Sequence, residues 1–210
     1  MEKLDFKKKY KDLYAPSAKQ VSLVTVPQLK FLMIDGKGDP NGSEFQSAVE
    51  ALYSLSYTIK FWPKKHAAPQ GFVEFSVSAL EGLWWVEGED KAEMNMNAPR
   101  DTWRWTAMIL QPDFVTDSYF QKVRIEAEAK KQNPSLSQVR LETFEEGLSV
   151  QIMHFGPYSE ELPNILKIAE YMKSNNYVSN GKHHEIYLSD PRRTAPENLK
   201  TILRHPVKSL

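Results

Sequence analysis

Twice along this chain a short apolar strand runs into a glycine and then into an amphipathic helix, and that repetition narrows the folds open to it. Phe31-Leu32-Met33-Ile34-Asp35-Gly36 passes through a loop of Gly, Pro and Asn into a helix predicted over about 44–61. Val150-Gln151-Ile152-Met153-His154-Phe155-Gly156 passes through Pro157-Tyr158-Ser159 into a helix predicted over about 161–175. Further strands follow each helix. Two β-α-β-β units can share one antiparallel sheet, burying both helices on one face and leaving a ligand cleft of pseudo-twofold character on the other. The expected class is therefore α+β: an N-terminal arm over 1–20, then a domain over 21–210 in two halves of about 21–146 and 147–210.

Apolar spacing supports this outline. Phe45, Ala48, Val49, Leu52, Leu55 and Ile59 form a helical stripe, with Ser43 and Gln46 resembling a capping box. Phe72 to Ala79 alternates like a strand, and Leu80-Glu81-Gly82 reads as a turn into Leu83-Trp84-Trp85-Val86. Glu87 to Arg100 is polar and reads as a loop. In the strand from Thr102 to Leu110, Trp103, Trp105, Ala107 and Ile109 share one face and Arg104, Thr106 and Met108 the other. Thr116 or Asp117 caps the next helix. Val139–Phe144 and Leu148–Phe155 flank Gly147 as in a hairpin. The arm, with Lys7, Lys8, Lys9 and Lys11 around Phe6 and Tyr10, reads as solvated and held by its two aromatics.

Composition excludes several chemistries. The 210 residues carry 27 basic and 27 acidic side chains, so no net field draws the chain to nucleic acid or an anionic membrane. Without cysteine there is no disulfide, thiolate metal site or thiol nucleophile. The start lacks the apolar run of a signal peptide, and no stretch approaches the ~20 apolar residues of a membrane span, so a cytoplasmic protein is expected. Gly36-x-Gly38 has neither the third glycine of a dinucleotide fingerprint nor the ending of a P-loop. The five histidines show no metal-ligand spacing, and His183 and His184 face opposite ways on a strand, so no metal and no cofactor are expected.

The chemistry concentrates at His183-His184-Glu185-Ile186-Tyr187-Leu188-Ser189-Asp190-Pro191. Alternation puts Glu185 and Tyr187 on one face and Ile186 and Leu188 on the other; if the Ile/Leu face meets the helices, Glu185 points into the cleft. A carboxylate in apolar surroundings is costly, and desolvation raises its pKa toward the range useful for proton transfer. Taken alone, the stretch reads better as an exposed strand face with an ordinary glutamate. The aromatics change the balance. Trp84, Trp85, Trp103, Trp105, Tyr53, Tyr57, Phe155, Tyr158 and Tyr187 are spread over several elements, and although at least half belong to the core, the remainder can wall a cleft. Expected ligand-binding residues are Trp103, Trp105, Phe155, Tyr53, His183 and Trp85.

Leu148 to Val207 resembles the GyrI-like small-molecule-binding family, through Gln151-Ile152-Met153-His154-Phe155-Gly156-Pro157-Tyr158, Glu185-Ile186-Tyr187-Leu188-Ser189-Asp190-Pro191, Leu199 to Arg204 and Pro206-Val207. The first half resembles its larger stand-alone branch, through Phe31 to Asp39, Leu52 to Lys60 and Leu80 to Trp85. The resemblance implies a tandem β-α-β-β fold with a drug-binding cleft, a central buried glutamate at Glu185, its flanking tyrosine at Tyr187 and the turn tyrosine at Tyr158. Some stand-alone relatives hydrolyse the cyclopropane ring of DNA-alkylating natural products. On that pattern Glu185 is the general base, Tyr158 or Tyr187 hydrogen-bonds the oxygen that gains charge, and Trp103 or Trp105 holds a planar ligand. A small molecule is the expected partner, without direct nucleic-acid or membrane contact. Sequestration or sensing without turnover, a protein-interaction role and a homodimer stay open.

Overall fold

The computed structural model describes residues 3–88 and 98–210. Residues 89–97, most of the loop expected over Glu87–Arg100, lie outside the described residues, as do Met1 and Glu2 of the expected arm. The chain opens with two single helical turns, α1 (Phe6–Lys9) and α2 (Lys11–Tyr14). There follow β1 (Ser22–Lys37), α3 (Ser43–Phe61), β2 (Leu80–Val86), β3 (Trp103–Leu110), α4 (Asp117–Lys130) and β4 (Arg140–Phe155). The chain ends with α5 (Leu162–Ser174), β5 (Tyr177–Ser179), β6 (His183–Tyr187) and β7 (Lys200–Ser209). The described strands pair antiparallel in the order β4-β1-β3-β2-β6-β7-β5, and β4 also pairs with β7, so the sheet closes into a barrel.

Closure depends on two long strands that each serve two neighbours. β1 pairs with β4 from Ser22 to Met33 and with β3 from Phe31 to Lys37. β4 runs unbroken through Gly147, which lies beside the Pro27–Glu146 position of the β1–β4 ladder, so the expected hairpin there is replaced by one continuous strand. Gly147 has φ of 73°, a conformation that suits glycine. Across it the alternation of faces resets: Glu146 and Gln151, an odd number of positions apart, bond the same interior arginine. A turn was read where the backbone only needed one left-handed residue.

Helices cover the outside. Leu52, Leu55 and Ile59 of α3 are fully buried, each contributing about 1.5–3 kcal/mol. With Phe120 and Val123 of α4 they pack on Leu32, Ile34, Trp84, Trp103, Trp105, Ala107 and Ile109. α5 sets Ile168 against Val150, Ile152, Leu203 and Val207. α4 is capped by Thr116, whose hydroxyl accepts from the Tyr119 amide. α3 lacks the expected Ser43 box: Gly42 is its cap without a side-chain bond, and Gln46 donates instead to the Asn41 carbonyl.

The inside is filled. Phe31, Met33, Leu83, Met108, Leu110, Met153, Ile186 and Ile202 meet there, joined by Phe6, Leu13 and Tyr14 of the N-terminal turns. The first residues are held by Phe6 and Tyr10, with Lys7, Lys8, Lys9 and Lys11 exposed as expected of the arm; Leu13 and Tyr14 are buried besides. Their fixing point is the expected strand over Phe72–Ala79, which reduces to one bridge between Leu4 and Phe75. The two faces are also the reverse of expectation. Ile186 points into the barrel, whereas Tyr187 packs on the outer cluster with the helices. Alternation had separated these residues correctly, but it says nothing about which set the helices take.

A chain of polar side chains crosses the interior. The Tyr14 hydroxyl donates to Glu81 Oε1 (2.7 Å). Glu81 Oε2 lies 3.0 Å from His184 Nε2, an ion-pair contact off the line of a hydrogen bond. His184 Nδ1 is 3.0 Å from both Glu146 oxygens. Arg204 Nη1 donates to Glu146 (3.1 Å), Nε to Gln151 (3.0 Å) and Nη2 to the Leu13 carbonyl (2.7 Å). Gln151 in turn donates to the Asp12 carbonyl (2.7 Å). Among the described residues no helix is long and apolar enough to cross a membrane.

Candidate functional site

On the outer face of β6, Glu185 stands opposite Gly82 of β2. The glycine is what makes room there. A Cβ at Gly82 would lie 2.8 Å from Trp84 Nε1 and 3.2 Å from the Tyr187 hydroxyl. Through that gap the Trp84 indole N–H donates to the Tyr187 oxygen (2.9 Å), and Tyr187 shares its face of β6 with Glu185, two residues away. Glu81-Gly82, expected in a turn, is thus strand backbone at the centre of the site.

The turn between β4 and α5 brings the other half. Gly156 adopts φ of 120°, which favours glycine. His154 donates from Nε2 to the Pro157 carbonyl (3.1 Å) and accepts at Nδ1 from Asn164 (3.2 Å), which fixes its tautomer and braces the turn. This sets the Tyr158 ring edge-on to Tyr187, centroids 5.7 Å apart. It also places Glu161, the N-cap residue of α5, with 1% exposure and neither carboxyl oxygen meeting a hydrogen-bond partner among the described residues.

Burial, and then the neighbouring Glu185 charge, push Glu161 up to about 10. It therefore keeps its proton at neutral pH. The same two causes, in the same order, push Tyr158 up to about 12 and hold Tyr187 well above its ordinary value. Both tyrosines remain hydrogen-bond donors. His183, one step along the same face, has Nε2 3.4 Å from Glu185 Oε1, and its ring lies 6.4 Å from that of His205, whose Nε2 is 2.6 Å from Ser179 Oγ. The arrangement can hold a proton on one carboxyl, take one on the other, and donate from two phenols to an oxygen between them.

Glu185, Tyr187, Tyr158 and His183 come together as one group. Tyr53 of α3 lies half-buried at the rim, within reach of the charges of Asp190 and Arg192. Trp103 and Trp105 stand behind the site instead of lining it. Both are buried; Trp84 meets Trp103 edge-on (5.9 Å), and Phe45 fills the space between Trp84 (5.4 Å) and Trp105 (5.0 Å). Trp85 and Phe155 are elsewhere. Trp85 turns to the inner side, under Lys182 Nζ at 3.3 Å, and lines a cavity of about 580 Å³ at the barrel end with Met33, Leu83 and Phe144. Phe155 is half exposed beside Lys200. A one-residue step along β2 or β4 separates an outer position from an inner one.

Residues 106–208 match the model of the GyrI-like small molecule binding domain. An uncharacterised conserved protein from Listeria innocua shares 44% identity over 98% of this chain and 100% of its own, with a TM-score of 0.90. The chain belongs to the GyrI-like small-molecule-binding family. Two further Listeria innocua structures, each described as a hydrolase, share 42% identity with this GyrI-like chain. One covers 98% of it with a TM-score of 0.87 and the other 99% with 0.89, and both are matched over their full length. No curated protein matches the chain.

Proposed function

We propose that this GyrI-like protein binds aromatic, lipophilic electrophiles or cations over Glu185 and opens the cyclopropane ring of DNA-alkylating compounds by adding water. Two carboxyl groups in one aromatic shell, with the proton resident on Glu161, carry this reading. Glu185 takes a proton from water as the water oxygen bonds the strained ring carbon. The ring carbon–carbon bond breaks, and its electron pair moves through the conjugated system to an oxygen. That oxygen takes the proton from Glu161, while Tyr158 and Tyr187 donate hydrogen bonds to it as charge grows. Proton transfer from Glu185 back to Glu161 resets the site, and the net change is one added water. Separated acid and base functions on two like groups follow from their different surroundings. A cationic ring system would gain about 0.5–2 kcal/mol per aromatic face.

The two similar hydrolases support turnover over simple capture. The test is incubation with a cyclopropane-bearing alkylator, reading the ring-opened hydrate by mass spectrometry. Glu185→Gln should slow product formation ~10²–10⁴-fold with ligand binding retained. Stoichiometric quenching of tryptophan fluorescence with the ligand recovered intact would leave sequestration as the function.

A further inference from the structure

β6 shows the same strand residues to two unlike surroundings. Glu185 faces the outer aromatic shell; His184, beside it in sequence, faces the barrel interior with 1% exposure. Glu146 of β4 holds its Nδ1 from one side at 3.0 Å, and Glu81 of β2 approaches Nε2 from the other at 3.0 Å. Neither carboxylate is free to move: Tyr14 of α2 bonds Glu81, and Arg204 of β7 bonds Glu146. With the imidazole protonated, two cations face two anions in a closed space.

A strand can pair one residue out of step, and that slip turns every side chain to the other face. In β6 it would carry Glu185 inward against Glu81 and Glu146, three carboxylates facing the one guanidinium of Arg204. It would also carry His184 outward. The interior charges thus oppose the shifted register in addition to apolar packing. Glu81 immediately precedes Gly82, the residue that Glu185 must meet, so the contact acts on the two strands that form the site.

We propose that His184 is the positioning residue of the GyrI-like site: gripped between Glu81 and Glu146, it fixes β6 on β2 and so aims Glu185 and Tyr187 outward. The proposal rests on the site reading above, but its first readout needs no substrate. Burial opposes the charge on His184, but Glu146 and Glu81 outweigh it and raise the imidazole to about 9.

The test uses the full chain with ¹⁵N-labelled histidine and tryptophan. The His184 ring nitrogens should report imidazolium at neutral pH, and His184→Gln should shift the Trp84 indole N–H resonance, which reports the bond to Tyr187. In turnover, His184→Gln should lower kcat by about 10²-fold, the effect of a misplaced base, with KM little changed. The alkaline fall of wild-type kcat should begin with His184, at about 9; in the variant that step should be gone and only the fall that follows Glu161, at about 10, should remain. A His184 that titrates below pH 7, or a His184→Gln protein whose Trp84 resonance and kcat match wild type, overturns the proposal. If His184→Gln does not fold, Tyr14→Phe loosens Glu81 alone and should move the same Trp84 resonance by less; no movement overturns the proposal as well. If the wild type turns nothing over, the hydrolase reading fails while the two resonances still decide the role of His184.

Discussion

Inside the barrel, Glu146 and Glu81 share an imidazole, a guanidinium and a phenol; outside it, a few ångströms through the same strand, Glu161 and Glu185 meet each other. The first arrangement neutralises every charge where it stands. The second leaves a proton on a carboxyl that would ordinarily lose it. Burial is equal on the two sides, so the difference lies in the partners. Compensated charges hold the framework, and uncompensated ones are those on which the proposed chemistry draws.

Removing one member from the inner set should have the largest effect. Glu146→Ala leaves His184 and Arg204 facing Glu81 alone and should lower stability by about 3–5 kcal/mol in a urea melt. The pH dependence of the two sides should carry opposite signs. Burial opposes charge on Glu146, but His184 and Arg204 prevail and depress it to about 2, against an ordinary 4.5. Its contribution is complete above pH 4.5 and lost as pH falls through 2. Glu161 is raised, so the stability tied to its proton is complete below pH 4.5 and lost as pH climbs toward 10. Glu161→Gln, which keeps the uncharged shape, should therefore match wild type in melts at about pH 4 and exceed it at about pH 8. Equal gains at both would show that Glu161 is not the group holding the proton.

Gly82→Ala should cost about 1–3 kcal/mol, because its methyl must displace Trp84 or Tyr187, and should weaken ligand binding with it. The smallest effect is expected from Phe155→Ser. That ring is half exposed and away from Glu185, so affinity measured by fluorescence should stay within about twofold. A large loss there would move the binding surface off the outer face of β6.

Much of this molecule was legible in its residues. The α3 stripe, the two faces of the strand carrying Trp103 and Trp105, and the shared face of Glu185 and Tyr187 follow from period alone. Which face the helices would take does not. A closed sheet buries both of its surfaces, so apolar residues on either side look alike in the sequence. Glu161 gave no signal, since an acid at a helix start is favourable even when exposed. Gly82 misled because glycine marks turns more often than it clears space for an indole. Glu81, Glu146 and His184 look like surface residues until closure brings them together from three separate strands.

The arginine that completes the interior set bonds the backbone of Leu13, at a sequence separation of 191. The last strand of the barrel therefore holds the turns that precede its first. The contacts around Leu13 are complete only once β7 is in place beside β4 and β6. Contacts this distant in sequence form slowly. Assembly should accordingly wait on the docking of β7, and Arg204→Ala should loosen the N-terminal turns as well.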